Sequence, residues 1–251
     1  MAATDLELIR PDWPAPAPVH AVSTTRVGGF SNSPYASLNL AAHVGDEPRA
    51  VKQNRTALGR ALSLATAPRW LNQVHGTEVI DAELVTPSMT ESVAADASIT
   101  SVAGVICAIM TADCLPVLFT ERSGRHVAAA HGGWRGLVAG ILENMVAAFA
   151  ARGVQPEEII AWLGPAISPL AYEIDTAVVK ALRSDDRAAL TLTDSQHGQL
   201  DLYVLARQRL AASGVDAVFG GGLCTSAEPE RFFSYRRDGV CGRQATLIWR
   251  D

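Results

Sequence analysis

Residues 104–136 read GVICAIMTADCLPVLFTERSGRHVAAAHGGWRG. Three short apolar runs within it, 105–110, 115–120 and 127–130, have the length and composition of buried strands. The run Glu121, Arg122, Ser123, Gly124, Arg125 between the last two predicts a hairpin turn. Polar residues stand where the strands end: Thr111, Asp113 and Cys114 after the first, His131 after the third. Beyond His131 two glycines lead into an apolar helix expected from Trp134 to about Ala151. A cysteine and a histidine at the ends of adjacent strands, beside a helix start, have the layout of an active site.

Outward from this stretch, strands are expected at 20–26, 69–74, 78–82, 97–101, 159–163, 215–219 and 244–249. Asp46 is placed to cap a helix that carries Val51, Leu58, Ala61 and Leu62 on one face. Asp175 and Asp201 are placed to cap helices running to about 182 and 212, the second stopped by Gly214. Segments 27–35, 83–95 and 232–243 read as loops, and 184–200 has no clear period. Strands and helices interleave, yet several neighbouring strands need hairpins. The expected fold is therefore α/β (α+β), a single domain with a mixed sheet flanked by helices. Residues 1–18, rich in proline and alanine, form an extended lead-in, and 19–251 the catalytic domain.

The chain has 251 residues, enough to bury one large core, and a net charge of −5 with both signs interspersed. No basic tract points to nucleic acid and no apolar run is long enough for a bilayer. The N-terminus lacks a secretory pattern, so the expected location is cytoplasmic. Four cysteines without a C-x-x-C pair fit free thiols or metal ligands better than disulfides.

Cys114, His131 and His75, the last in the polar turn N-Q-V-H-G, make a donor set that suits zinc with one open position, and also copper. The same residues also fit a bland reading: a small core cysteine and two polar loop histidines. Cys107, inside an apolar run, reads as inert core. Cys241 has no evident partner, and Cys224 lies beside a glycine-rich turn. His126 begins a strand; His20, His43 and His197 lack supporting context. The helix start at Gly132, Gly133, Trp134 and Arg135 suits an anion. Arg236 and Arg237 are placed to grip a phosphate. Asp113 is placed to orient a histidine ligand, move a proton or cap a turn.

Taken together, S-L-N-L, N-Q-V-H-G, A-D-A, T-A-D-C-L-P-V, H-G-G-W-R-G, L-G-P-A-I, Y-E-I, C-T and F-F-S-Y-R-R-D-G resemble the YfiH-like family. That family is described both as laccase-domain polyphenol oxidases and as purine nucleoside phosphorylases. The resemblance runs from about Arg26 to the C-terminus. It implies a zinc triad on His75, Cys114 and His131, and a fold shared with toxin-type cysteine deamidases. Gln73, Asp113, Arg135, Arg236 and Arg237 are then the expected substrate-binding set. Gly132 stands where the family usually has alanine, and Cys241 where it usually has threonine. The implied activity is phosphorolysis of adenosine, inosine and methylthioadenosine, with adenosine deamination resembling that of other zinc deaminases. The partners are then a purine nucleoside and phosphate, and the enzyme a monomer or homodimer. Two alternatives stand beside it: a cysteine- or zinc-dependent amidase editing peptidoglycan precursors, and a single-copper polyphenol oxidase. A laccase with mononuclear and trinuclear copper centres needs more histidine ligands than the six this chain holds.

Overall fold

The computed structural model describes residues 5–86, 91–194 and 197–251. The first strands are β1 (Leu8–Ile9), β2 (Val19–Thr24), β3 (Val79–Asp81) and β4 (Ala97–Thr100). The central stretch forms β5 (Cys107–Thr111), β6 (Leu115–Glu121) and β7 (Val127–Gly132). Then come β8 (Ile159–Leu163), β9 (Glu173–Asp175), β10 (Leu190–Leu192), β11 (His197–Leu200), β12 (Ala217–Gly220) and β13 (Gln244–Arg250). The α-helices are α1 (Pro48–Ala61), α2 (Trp134–Ala139), α3 (Ile141–Ala150), α4 (Thr176–Ala181), α5 (Leu202–Ala212) and α6 (Tyr235–Asp238).

The expected mixed α/β domain is present, with its strands divided among three sheets. A six-stranded mixed sheet runs β12-β8-β6-β7-β4-β3, an antiparallel sheet runs β1-β2-β13-β5, and β10-β11-β9 form a small third one. Side-chain alternation explains the layering. In β6, Val117 and Phe119 pack with Leu142, Met145 and Phe149 of α3 and Leu205 of α5, while Leu118 points the other way. Leu118 joins Val127 and Ala129 of β7 against Cys107 and Ile109 of β5 and Ile248 of β13. Ala108, Met110 and Leu247 turn to the outer face, covered by Leu58 of α1 and by Leu38, Leu40 and Trp70. The order of layers is helix, sheet, sheet, helix, and each fully buried Leu or Phe contributes about 1.5–3 kcal/mol.

Four local expectations change. The run from Trp134 is two helices, because Gly140 adopts φ +110° and ends one before the next begins. Segment 69–74 is not a strand; Arg69 and Asn72 make only isolated bridges to Cys107 and Ala94. Glu47 rather than Asp46 is the N-cap of α1. Asp46 instead receives Ser31 Oγ at 2.6 Å and Asn39 Nδ2 at 2.8 Å. The segment 232–243, expected as loop, holds the short helix α6. Within the lead-in, β1 pairs with β2 through Leu8 and Thr24. Asp175 and Asp201 cap α4 and α5 as expected, each accepting two backbone N–H groups. Part of the loop expected over 83–95 lies outside the described residues.

Candidate metal centre

Register brings the triad together. β6 and β7 pair antiparallel with Leu115 opposite Gly132 and Pro116 opposite His131. Cys114, one residue before β6, therefore meets His131 near the end of β7. β4 pairs with the other side of β7, Ala97 opposite Ala130, which sets Asp96 beside His131. His131 N donates to the Asp96 carbonyl at 2.7 Å, and Asp96 Oδ1 lies 2.8 Å from His131 Nδ1. The same carboxylate reaches across to the His75 turn. It accepts N–H bonds from Val74 (3.2 Å), His75 (2.9 Å) and Gly76 (2.7 Å). These bonds hold His75 at φ +62°, a conformation costly for a residue with a side chain.

One donor atom from each of His75, Cys114 and His131 lies within 4.8 Å of the others, the one such group among the described residues. Cys114 Sγ is 3.8 Å from His75 Nε2. A tetrahedral zinc with ordinary Zn–S and Zn–N bonds would place sulfur and nitrogen about 3.6 Å apart, so little movement is required. The imidazoles meet edge to face at 4.7 Å. Gly133 makes the convergence possible: a Cβ there would fall 2.8 Å from His75 Cδ2 and 3.3 Å from Cys114 Sγ. With Nδ1 of His131 engaged by Asp96, Nε2 is the nitrogen left for a metal. The donor chemistry, the spacing and this carboxylate support fit one zinc or copper ion.

Burial disfavours a charged Cys114, but the charge and hydrogen bonding of His131 and His75 outweigh it and bring the thiol down to about 6. Burial also opposes a charged His131, yet the Cys114 thiolate and Asp96 raise it. Cys107, by contrast, is pushed up to about 12 by burial. Metal-free protein is therefore expected to alkylate at Cys114 near neutral pH, with Cys107 unreactive. The rate should fall as pH drops below about 6, where the thiolate is lost. Zinc should protect Cys114, and peptide mapping after iodoacetamide treatment checks this. Equal labelling with and without zinc would exclude Cys114 as a ligand.

The remaining expected site residues have other occupations. Asp113, at φ +93°, accepts from Thr225 Oγ1 at 2.7 Å and from Arg236 N at 2.6 Å, so it anchors the turn that carries Cys114. Gln73 brackets β5: its Nε2 donates to the Met110 carbonyl and its Oε1 accepts from Met110 N, both at 2.8 Å. Arg135 is exposed, with its guanidinium over the Trp134 ring. Arg236 lies over Tyr172 and donates to the Glu173 carbonyl. It lines a separate pocket that also holds Glu173 and Asp175, an acidic setting for an anion. Arg237 already holds protein groups. Its Nε and Nη2 hold Asp238, while its Nη groups donate to the carbonyls of Thr225, Ser226 and Phe232.

The triad opens into a cavity of about 250 Å³ lined also by His43, Gln73, Thr111, Tyr235 and Arg243. Larger depressions of about 660 and 620 Å³ follow α1, but neither gathers a histidine or a thiol. Chemistry, not size, selects the smaller one. His43, whose Nδ1 lies 2.7 Å from Glu91, had no sequence context that would place it here. Tyr235 opens α6 and Arg243 immediately precedes β13, in a segment that reads as loop in the sequence, and Asp96 reads there only as a strand head. The A-D-A motif was the one available signal for it.

The model of the family described as multi-copper polyphenol oxidoreductase laccase matches residues 20–251. The chain belongs to that family. It is 52% identical over 246 residues to "Purine nucleoside phosphorylase YfiH" of Escherichia coli (strain K12), covering 97% of this chain and 98% of that protein. A "Purine nucleoside phosphorylase" of Haemophilus influenzae is 46% identical over 249 residues, covering 97% and 99%. Among solved structures, Neisseria meningitidis protein NMB0706 superimposes with a TM-score of 0.91 at 47% identity, covering 97% of this chain and 99% of that one. YlmD from Geobacillus stearothermophilus gives 0.88 at 34% identity, covering 99% and 98%. The YfiH-like resemblance carried by the motifs is the relationship these matches show. The donor set nonetheless fits one ion: among the described residues no second histidine and cysteine cluster exists to build a multi-copper centre in this laccase family member.

Proposed function

We propose that this chain is a purine nucleoside phosphorylase acting on adenosine, inosine and methylthioadenosine. The products are the free base and ribose 1-phosphate or its methylthio analogue. Adenosine deamination is a second activity of the same site. The observation that carries this reading is identity at about half of all positions, over almost the whole length, to relatives bearing that name. In phosphorolysis a phosphate oxygen bonds to the anomeric carbon, the bond from that carbon to the purine nitrogen breaks, and the base leaves with the electron pair and takes up a proton. In deamination water adds at C6 and ammonia departs.

His75, Cys114 and His131 would hold zinc, with copper the alternative ion. Bound there, the metal supplies Lewis acidity and an activated water. The protein supplies the rest. Asp96 fixes the His131 ring and the His75 turn, and Asp113 fixes the approach to Cys114. The cavity is at the small end for a ligand site, so a nucleoside fills it and reaches the mouth. There Tyr235 offers an exposed aromatic ring.

Incubation of zinc-loaded protein with adenosine, with and without phosphate, followed by chromatography, tests the proposal. Adenine that forms only with phosphate is the expected result, with inosine as a second product. Inosine alone would reduce the activity to deamination. If neither forms, the nucleoside reading fails. A thiol hydrolase then leads, because the lowered Cys114 beside two imidazoles is also an activated nucleophile.

A further inference from the structure

We propose that Arg243 is the residue that anchors phosphate in the triad cavity; the proposal rests on the phosphorolysis reading above. Phosphorolysis requires a multiply charged anion next to the sugar. A partly buried cavity disfavours that charge unless a fixed cation meets it. Among the described residues lining the cavity, Arg243 is the one arginine, and no lysine is present.

Arg243 is built to stay in place. Its backbone N–H donates to Asn39 Oδ1 at 2.9 Å, and its carbonyl accepts from Leu40 N at 3.1 Å. Its Nη1 is tied to the carbonyls of Cys241 (2.9 Å) and Gly242 (3.0 Å). Tyr235 flanks the guanidinium at 5.9 Å. These bonds leave the Nε and Nη2 edge without a protein partner among the described residues, and no carboxylate pairs with it there. That edge is the side-on fork by which arginine grips two oxygens of one anion. Arg237 shows the same fork already filled, since its Nε and Nη2 both hold Asp238 at 2.7 Å. Of the two arginines, Arg243 has the vacant fork and the place in the cavity.

The test measures phosphate dependence of nucleoside cleavage in wild type, Arg243→Ala, Arg243→Lys and Arg125→Ala. Calorimetric titration of each protein with inorganic phosphate alone runs beside it. Loss of a bidentate charged contact is expected to raise the phosphate KM about 10- to 100-fold in Arg243→Ala, with a smaller shift in the nucleoside KM. Lysine keeps the charge without the fork and is expected to fall between. Arg125→Ala, at an exposed position in the β6–β7 turn, should stay within about twofold of wild type in phosphate KM. A phosphate KM and Kd unchanged in both Arg243 variants would overturn the assignment. If alanine prevents folding, seen by circular dichroism, the lysine variant decides alone. If wild type cleaves no nucleoside, the phosphorylase reading falls, and the titration still judges Arg243. Weaker phosphate binding in the variants supports the anion site; equal binding, or none in wild type, removes it.

Discussion

Replacing Cys114 by alanine is expected to lower turnover by at least about a thousandfold, while Cys107→Ala keeps most of it. The two thiols lie seven positions apart and belong to different environments. Cys114 is at the turn between β5 and β6, half-buried, with its sulfur 3.8 Å from an imidazole nitrogen. Without that sulfur two histidines remain, too few for a stable zinc site. Cys107 starts β5, fully buried between the two larger sheets, and its sulfur faces the Val127 carbonyl at 3.9 Å. Four residue steps along the strand separate it from Thr111 at the cavity, about 13 Å. Its loss leaves a sulfur-sized gap that costs about 1 kcal/mol of stability without disturbing the triad. Turnover and zinc content should fall together in Cys114→Ala. Zinc retained with turnover gone would make the thiol a nucleophile instead of a ligand. Equal activity loss in both variants, each still folded, would mean the site has been misplaced.

The strands of the central stretch were legible because their burial is nearly complete, so each reads as an uninterrupted apolar run bounded by polar turns. Asp175 and Asp201 were legible as caps because capping is a local hydrogen bond. The division of the strands into separate sheets was not legible. It depends on β13, at the C-terminal end, inserting between β2 and β5, a pairing no local pattern encodes. Gly140 was hidden for a related reason: the apolar period continues across it, and only its positive φ ends the helix. In the site, the three donors were visible because thiol and imidazole are rare and sat at strand ends. Asp96 was not, because its importance lies in four bonds to two segments far apart in sequence. The arginines read alike in the sequence because charge belongs to the residue type, whereas availability depends on what each fork already holds, as Arg237 and Asp238 show.

Asp96→Asn is expected to destabilise the protein by about 3–5 kcal/mol and to weaken zinc binding about 10- to 100-fold. The side chain is fully buried, and its carboxylate meets three backbone N–H groups and the His131 ring. An amide has one acceptor end. If its NH₂ replaces Oδ2, it faces the N–H groups of Val74 and Gly76, and the His75 turn loses the bonds that hold its positive φ. If it replaces Oδ1, it faces His75 N and His131 Nδ1. His131 must then accept at Nδ1 and carry its proton on Nε2, the nitrogen meant for metal. Either orientation damages one histidine ligand. Burial opposes a charged Asp96, but hydrogen bonds from His131 and Gly76 outweigh it, so its folded pKa lies below the ordinary carboxylate value. A depressed folded pKa means the stabilisation is present above the unfolded carboxylate range and disappears as pH falls through the folded value. The stability gap between wild type and Asp96→Asn should therefore be wide near neutral pH and close in acid. Denaturant unfolding across pH, paired with competitive zinc titration of the folded variant, measures both effects. A variant with near-wild-type zinc affinity and a pH-independent stability gap would leave Asp96 as a packing residue only.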